Sequence, residues 1–192
     1  MTTILLARHG ETDWNRERRW QGHADPPLNE EGRRQAQILA EELAERPIAA
    51  VYTSDLRRAR ETADIVAKTH GLDAVVEPSL REIDVGSWSG LTTSEVEERY
   101  PEGWARFQNG LRGHDGETHK DHSLRVVEAV RRIAHEHPDE EILIVSHGGS
   151  LRAIQRAVLG IAPEGHDPRL RPIGNCVTLE IALQEGRLRS VD

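Results

Sequence analysis

The chain has 192 residues, 33 acidic and 25 basic, for a formal net charge of −8. Its length fits one domain over residues 1–192, with a core large enough to need no disulfide or metal staple. The acidic balance makes nucleic acid and anionic membranes poor partners, and the single cysteine, Cys176, excludes an intrachain disulfide and fits a reducing, cytoplasmic setting.

The first apolar run, Ile4-Leu5-Leu6-Ala7, predicts a buried strand that stops at Arg8-His9-Gly10-Glu11-Thr12. It is too short for a signal peptide or a membrane span, and no basic segment precedes it, so cytoplasmic residence is the expectation. Behind Asn29, a good N-cap, Ala36, Leu39, Ala40, Leu43 and Ala44 share one helix face. Residues 49–53 predict a second strand, ending at Ser54. Leu56, Ala59, Ala63, Val66 and Ala67 predict a helix that stops near Gly71. Residues 73–77 predict a third strand, leading through Pro78 to Leu80-Arg81-Glu82.

Residues 100–119 are the least periodic and predict a loop or short-helix excursion. Leu124, Val127, Val130, Ile133 and Ala134 mark a long helix that ends before Pro138. Ile142-Leu143-Ile144-Val145 is the strongest strand signal and runs into Ser146-His147-Gly148-Gly149. Leu151, Ile154 and Val158 mark the next helix, closed by Gly160. Residues 176–181 and 187–191, split by Gly186, predict a hairpin or closing edge strands, with Cys176 as a small core residue. The alternation implies an α/β fold, a three-layer α/β/α sandwich around a mostly parallel central sheet.

Each strand is followed at once by an ionisable or hydrogen-bonding residue, and open α/β sheets bind ligands beyond the carboxyl ends of their strands. Laid side by side, the strands bring Arg8, His9, Arg58, Glu82 and His147 to one edge. Arginine forks match phosphate oxygens and keep their charge at working pH. Gly10 lets backbone approach a ligand closely. A neutral imidazole is a competent nucleophile near neutral pH, and a carboxylic acid can protonate an alkoxide leaving group. Phosphoryl transfer needs mainly positioning and a preorganised cationic cage.

In their order along the chain, these motifs resemble the histidine phosphatase superfamily, also called the phosphoglycerate mutase-like family, in its phosphatase branch. The resemblance rests on Arg8-His9-Gly10-Glu11-Thr12 with Asn15, then Gln21-Gly22 and residues 27–32. It continues through residues 54–63, where the motif arginine is Arg58 and not Arg57, the loop of residues 80–90, and Ser146-His147-Gly148-Gly149. The resemblance implies that His9 becomes a phosphohistidine, while Arg8, Arg58 and His147 bind the phosphoryl oxygens. Asn15, Gln21, Gly22 and backbone near Gly148 assist, and Glu82 protonates the leaving oxygen and then activates water. It implies no metal and no cofactor.

The resulting expectation is a metal-independent phosphomonoesterase acting on a small phosphorylated metabolite. A cofactor-dependent phosphoglycerate mutase and a non-catalytic phospho-ligand binding protein are the alternatives. The mutases of this family resemble longer chains with a larger basic insertion than the stretch between Gly90 and Gly116 here. A homodimer is compatible with the sequence. Trp104, Arg106, Phe107 and Arg112 are candidate substrate contacts, Asp84 is a second-choice acid, and Glu11 an orienting partner. His114, His119 and His122, among Asp115, Glu117 and Asp121, read as a solvated loop and helix start rather than a metal site; residues 119–122 depart from the family pattern.

Overall fold

Side chains of the first strand alternate between two apolar layers, and that alternation organises the molecule. The computed structural model describes residues 1–109, 111–163 and 167–191. Its strands are β1 (Thr2–Arg8), β2 (Ile48–Thr53), β3 (Ala74–Val76), β4 (Glu141–Ser146), β5 (Thr178–Gln184) and β6 (Arg187–Ser190). They form one sheet in the order β3-β2-β4-β1-β5-β6. The pairs β3–β2, β2–β4 and β4–β1 are parallel; β5 runs antiparallel to both β1 and β6.

The helices are α1 (Asp13–Arg16), α2 (Glu30–Leu43), α3 (Arg57–Thr69), α4 (Thr93–Arg99), α5 (Pro101–Gln108), α6 (His119–Glu136) and α7 (Gly148–Leu159). On one side of the sheet, Leu5, Ala7, Val51 and Val145 pack with Leu39 and Leu43 of α2 and Ala63 and Val66 of α3. On the other, Ile4, Leu6, Ile142 and Ile144 pack with Val126, Val130 and Ile133 of α6 and Leu151 and Ile154 of α7. Period-two alternation in the strands therefore meets 3.6-residue periodicity in the helices on both faces. This is the expected three-layer sandwich.

A third cluster, Ile83, Val85, Trp88 and Val96, packs with Trp20, Trp104 and Phe107. Trp88 is fully buried and meets Trp20 edge-on at 5.7 Å. This cluster carries the segment that follows Glu82. Among the described residues, no helix is long and apolar enough to cross a membrane.

Two local expectations are corrected. Leu124 is 50% exposed, because the face of α6 that meets the sheet runs through Val126, Val130 and Ile133. Cys176 lies ahead of β5, not within it: its backbone is left-handed (φ 55°) and its N–H donates to the Arg8 carbonyl at 2.9 Å. Partial burial pushes its thiol up to about 12.

The Asn29 side chain accepts from the Gly32 N–H at 2.8 Å and starts α2 against the segment after β1. There the two backbones touch. A Cβ on Gly32 would run into the Glu11 carbonyl, and one on Gly10 into the Gly32 carbonyl. Gly32→Ala is therefore expected to destabilise the fold by about 1–3 kcal/mol. The readout is a lower urea midpoint at unchanged m value; an unchanged midpoint would show that the contact is slack.

Candidate active site

Strand register brings the chemistry together. Arg8 pairs with Ser146 across β1 and β4, and Thr53 with Val145 across β2 and β4. One residue further on, His9, Ser54 and His147 emerge from these strands, at the carboxyl edge of the sheet. The His9 and His147 ring centroids lie 5.2 Å apart, with planes tilted by 59°.

His9 Nδ1 lies 2.7 Å from the Gly10 carbonyl oxygen. A carbonyl only accepts, so Nδ1 carries the proton and Nε2 keeps its lone pair. Burial, reinforced by the positive charges of Arg58 and Arg8, holds this imidazole well below the usual histidine range. At neutral pH it is an uncharged base with Nε2 available for attack.

Arg58, on the first turn of α3, is fully buried while its neighbour Arg57 is exposed. Its Nη1 donates to the Ala24 carbonyl at 2.7 Å and its Nη2 to the Gly22 carbonyl at 2.9 Å. Arg8 Nη1 donates to the Ile173 carbonyl at 3.1 Å. These partners are dipoles, not carboxylates, so neither charge is neutralised through its hydrogen bonds. Burial lowers both guanidinium groups, Arg58 to about 10, which leaves it protonated at neutral pH. The Nε atoms of Arg8 and Arg58 and Nδ1 of His147 are buried without a hydrogen-bond partner. Buried polar groups are rarely left unpaired in native proteins. Three around one nucleophile make a cup suited to an anion with several acceptor oxygens.

A cavity of about 420 Å³ opens onto this cup. From the sequence-predicted set, Arg8, His9, Asn15, Gln21, Gly22, Arg58, Glu82 and Gly148 line it. His147 is fully buried and is not among the lining residues, but its ring lies 5.2 Å from that of His9. Asn15 Oδ1 accepts from the Thr12 N–H at 3.1 Å, so its amide N–H₂ is the end it can offer a ligand. Gln21 Oε1 accepts from the Thr12 hydroxyl at 3.1 Å. Gly22 takes a positive φ of 49° and contributes the carbonyl that holds Arg58.

Glu82 follows a 3₁₀ turn (Pro78–Leu80) at the end of β3. Its Oε1 accepts from the Ile83 N–H and its Oε2 from the Gly149 N–H, both at 2.9 Å. A Cβ on Gly149 would collide with this carboxyl group. Asp84 instead caps the Gly86 N–H at 2.9 Å and does not line the cavity. Glu11 accepts from Asn29 Nδ2 at 2.9 Å.

Several supporting residues escaped the sequence reading. Arg125 grips Glu117 through two bonds of 2.9 and 2.7 Å and also donates to the Ser79, Arg81 and Glu82 carbonyls. It clamps the backbone that presents Glu82, yet on a helix it reads as an ordinary surface arginine. His23 Nε2 donates to the Glu82 carbonyl at 2.9 Å.

The helix start is where expected, with α6 beginning at His119, and Asp115, Lys120 and Asp121 are exposed, but the solvated reading fails for the histidines. His114 and His122 are buried, and with His119 they line the cavity. The Ser150 hydroxyl donates to the Arg81 carbonyl at 3.0 Å, so His122 Nε2, 3.1 Å from that oxygen, is the donor to Ser150. His122 Nε2 also lies 3.9 Å from Glu82 Oε1. Burial lowers this imidazole to about 4, so the pair is not an ion pair at neutral pH. Its helical spacing to Val126 was the signal that it faced inward. Among the described residues, no group of three or more His, Cys, Asp or Glu is placed to hold a metal ion.

Of the four candidate substrate contacts, Phe107 lines the cavity and the others do not. Trp104 stacks behind it at 5.6 Å, Arg106 bonds the Arg112 carbonyl, and Arg112 bonds the His114 carbonyl. Trp20 takes a place in the wall, with Arg18, Arg152 and Arg171. These three arginines form no ion pair among the described residues.

The histidine phosphatase superfamily (branch 1) matches residues 4–192. A metal-independent phosphoserine phosphatase from Arabidopsis thaliana is 45% identical over 161 residues, which cover 80% of this chain and 67% of that protein. "Probable phosphoglycerate mutase GpmB" from Cronobacter sakazakii is 38% identical over 191 residues, 96% of this chain and 86% of that protein. The solved structure of Bacillus stearothermophilus YhfR superposes with a TM-score of 0.92 at 34% identity, covering 100% of this chain and 96% of that one.

Burial of neutral imidazoles has a consequence for stability. His9, His122 and His147 all hold protons more weakly in the fold than the 6.5 of an exposed histidine. Below that pH the unfolded chain binds more protons, so stability present at neutral pH is lost as pH falls from about 6.5 toward 4. For His122 alone the loss between pH 7 and pH 5 is about 2 kcal/mol. Urea unfolding at both pH values is expected to show wild type losing that much more than His122→Asn. Equal losses would mean that His122 is not held neutral by the fold.

Proposed function

The chain belongs to the histidine phosphatase superfamily, and from that premise we propose that it is a metal-independent phosphomonoesterase working through a phosphohistidine on His9. The observation that carries this reading is the buried, unpaired cation cup around a neutral imidazole whose Nε2 is unprotonated. His9 Nε2 attacks phosphorus as the P–O bond to the leaving group breaks. The carboxylic proton of Glu82 goes to that oxygen. Water then attacks phosphorus, the P–N bond breaks, and the Glu82 carboxylate takes up the water proton. Inorganic phosphate leaves and His9 returns to its neutral form. Throughout, the Gly10 carbonyl holds the proton on Nδ1, which keeps the reacting nitrogen the same in both steps.

Arg8 and Arg58 face the equatorial oxygens, where charge develops; one such donor is worth roughly 10²–10³-fold in rate. Asn15 and the backbone near Gly148 complete the cup. Arg18, Arg152 and Arg171 lie in the same cavity and have no acidic partner among the described residues. They favour a small phosphomonoester that carries a second anionic group, and phosphoserine, the substrate in the name of the Arabidopsis relative, has one in its carboxylate. Residues 1–192 act as one domain in this reading, and the lone cysteine supports a cytoplasmic setting.

Turnover in EDTA tests the reading. Release of inorganic phosphate from phosphoserine without a primer supports it. A need for a bisphosphate primer with 3-phosphoglycerate would identify a mutase, and binding without turnover a phospho-ligand binding protein. His9→Ala is expected to abolish both turnover and ³²P labelling, and Glu82→Gln to slow both chemical steps by ~10²-fold or more. Replacing Arg152 and Arg171 by Leu is expected to raise KM for phosphoserine about 10-fold while sparing an aryl phosphate that lacks the second charge.

A further inference from the structure

Ser54 ends β2 at the same sheet edge as the two histidines and is fully buried. Its hydroxyl oxygen lies 2.7 Å from His147 Nε2, and no other partner is described for it. Both residues are shut off from solvent. A buried hydroxyl proton needs an acceptor, and the one within reach is this ring nitrogen. If His147 Nε2 carried the proton instead, the Ser54 hydroxyl would be left as an unsatisfied buried donor. A neutral imidazole has one N–H, so accepting at Nε2 puts the proton on Nδ1. That is the nitrogen left buried and unpartnered, on a ring whose centroid lies 5.2 Å from that of His9.

We propose that Ser54 is a positioning residue that fixes the tautomer of His147, so that His147 offers an Nδ1–H donor, not a lone pair, to the transferring phosphoryl group. The inference rests on the phosphatase reading for its purpose but not for its geometry. Two features support it. Burial and the charge of Arg58 hold the ring in its neutral form, in which a tautomer choice exists. A lone pair at Nδ1 would face phosphoryl oxygens and repel them, whereas a hydrogen there adds a third buried donor to the Nε groups of Arg8 and Arg58. Ser54 acts only through the ring and itself touches no substrate. Free histidine side chains prefer the Nε2–H form, so without Ser54 the ring reverts toward the wrong tautomer.

Long-range ¹H–¹⁵N spectra of protein carrying ¹⁵N-histidine read the tautomer directly, with the His147 signals assigned from His147→Gln. Wild type is expected to show His147 protonated at Nδ1 and bare at Nε2. In Ser54→Ala the signals should move to the Nε2–H pattern, and kcat should fall about 10-fold or more, as when a catalytic histidine loses its tautomer partner. Ser54→Thr, which keeps the hydroxyl, should restore both. Wild-type His147 protonated at Nε2 would overturn the proposal without any variant. So would Ser54→Ala that keeps the Nδ1–H pattern, or that switches tautomer with kcat unchanged. The spectra need no turnover, so failure to hydrolyse any phosphomonoester would sink the phosphatase reading while leaving the tautomer result standing.

Discussion

Two guanidinium charges held away from water, with carbonyl dipoles as their hydrogen-bond partners, are the constraint on which the site depends. Moving an ion out of water is expensive, and proteins usually offset it with an opposite charge. Here Arg58 has the carbonyls of Gly22 and Ala24, and Arg8 that of Ile173. The surroundings adjust to that field, which the Glu82 carboxylate offsets only in part. His9 and His147 give up their protons more readily than exposed imidazoles, with burial as the first cause and Arg58 as the next. The nucleophile is thus kept as a free base by the same charges that would hold its substrate. On the proposed function, one arrangement supplies both the affinity for a phosphoryl group and the reactivity toward it.

Such a cup works only if its parts do not drift, and distant segments of the chain hold it. Gly10 and Gly32 interlock the backbones behind the nucleophile. The α6 residue Arg125 ties Glu117 to the carbonyls of residues 79, 81 and 82, so the proton donor is fixed through its own backbone. The Gly149 N–H at the start of α7 then orients the carboxyl group itself. Losses of a few tenths of an ångström at any of these points reach the reacting atoms, because positioning is most of what a phosphoryl-transfer catalyst supplies.

The sequence made the frame legible because both periodicities are strong: period two in β1, and a 3.6-residue repeat in α2, α3 and α7. The family resemblance, not the periodicity, distinguished Arg58 from Arg57, and Arg58 is the one buried in α3. What it hid has specific causes. Leu124 matched the apolar spacing of α6, but the helix meets the sheet through a stripe rotated toward His122 and Val126. The left-handed turn at Cys176 is carried by a residue with no preference for it. Arg125 bears no local mark, and Ser54, though it opens the motif of residues 54–63, gives no sign there of its partner, because what they do depends on contacts with residues 79–82 and 147 that only the fold brings near. Composition also hid the charge distribution: a chain of net charge −8 lines the active-site cavity with Arg18, Arg152 and Arg171, which have no acidic partner among the described residues.

That segregation bears on what the site can hold and release. A net charge of −8 surrounding a cavity lined by Arg8 and Arg58 is a distribution that suits small anions better than large ones. Within the cup, the Glu82 carboxylate already acts on the charges of both Arg8 and Arg58. A phosphate dianion and an ionised Glu82 therefore compete for the same two cations. Protonated, Glu82 withdraws from the competition: substrate is held more tightly, and the proton needed by the leaving oxygen is in place. In the proposed reaction, once that proton has moved the carboxylate charge returns and weakens the grip on the phosphoryl group of the intermediate, until the attacking water hands Glu82 a new proton. A cage whose arginines were paired to fixed carboxylates would have no such modulation.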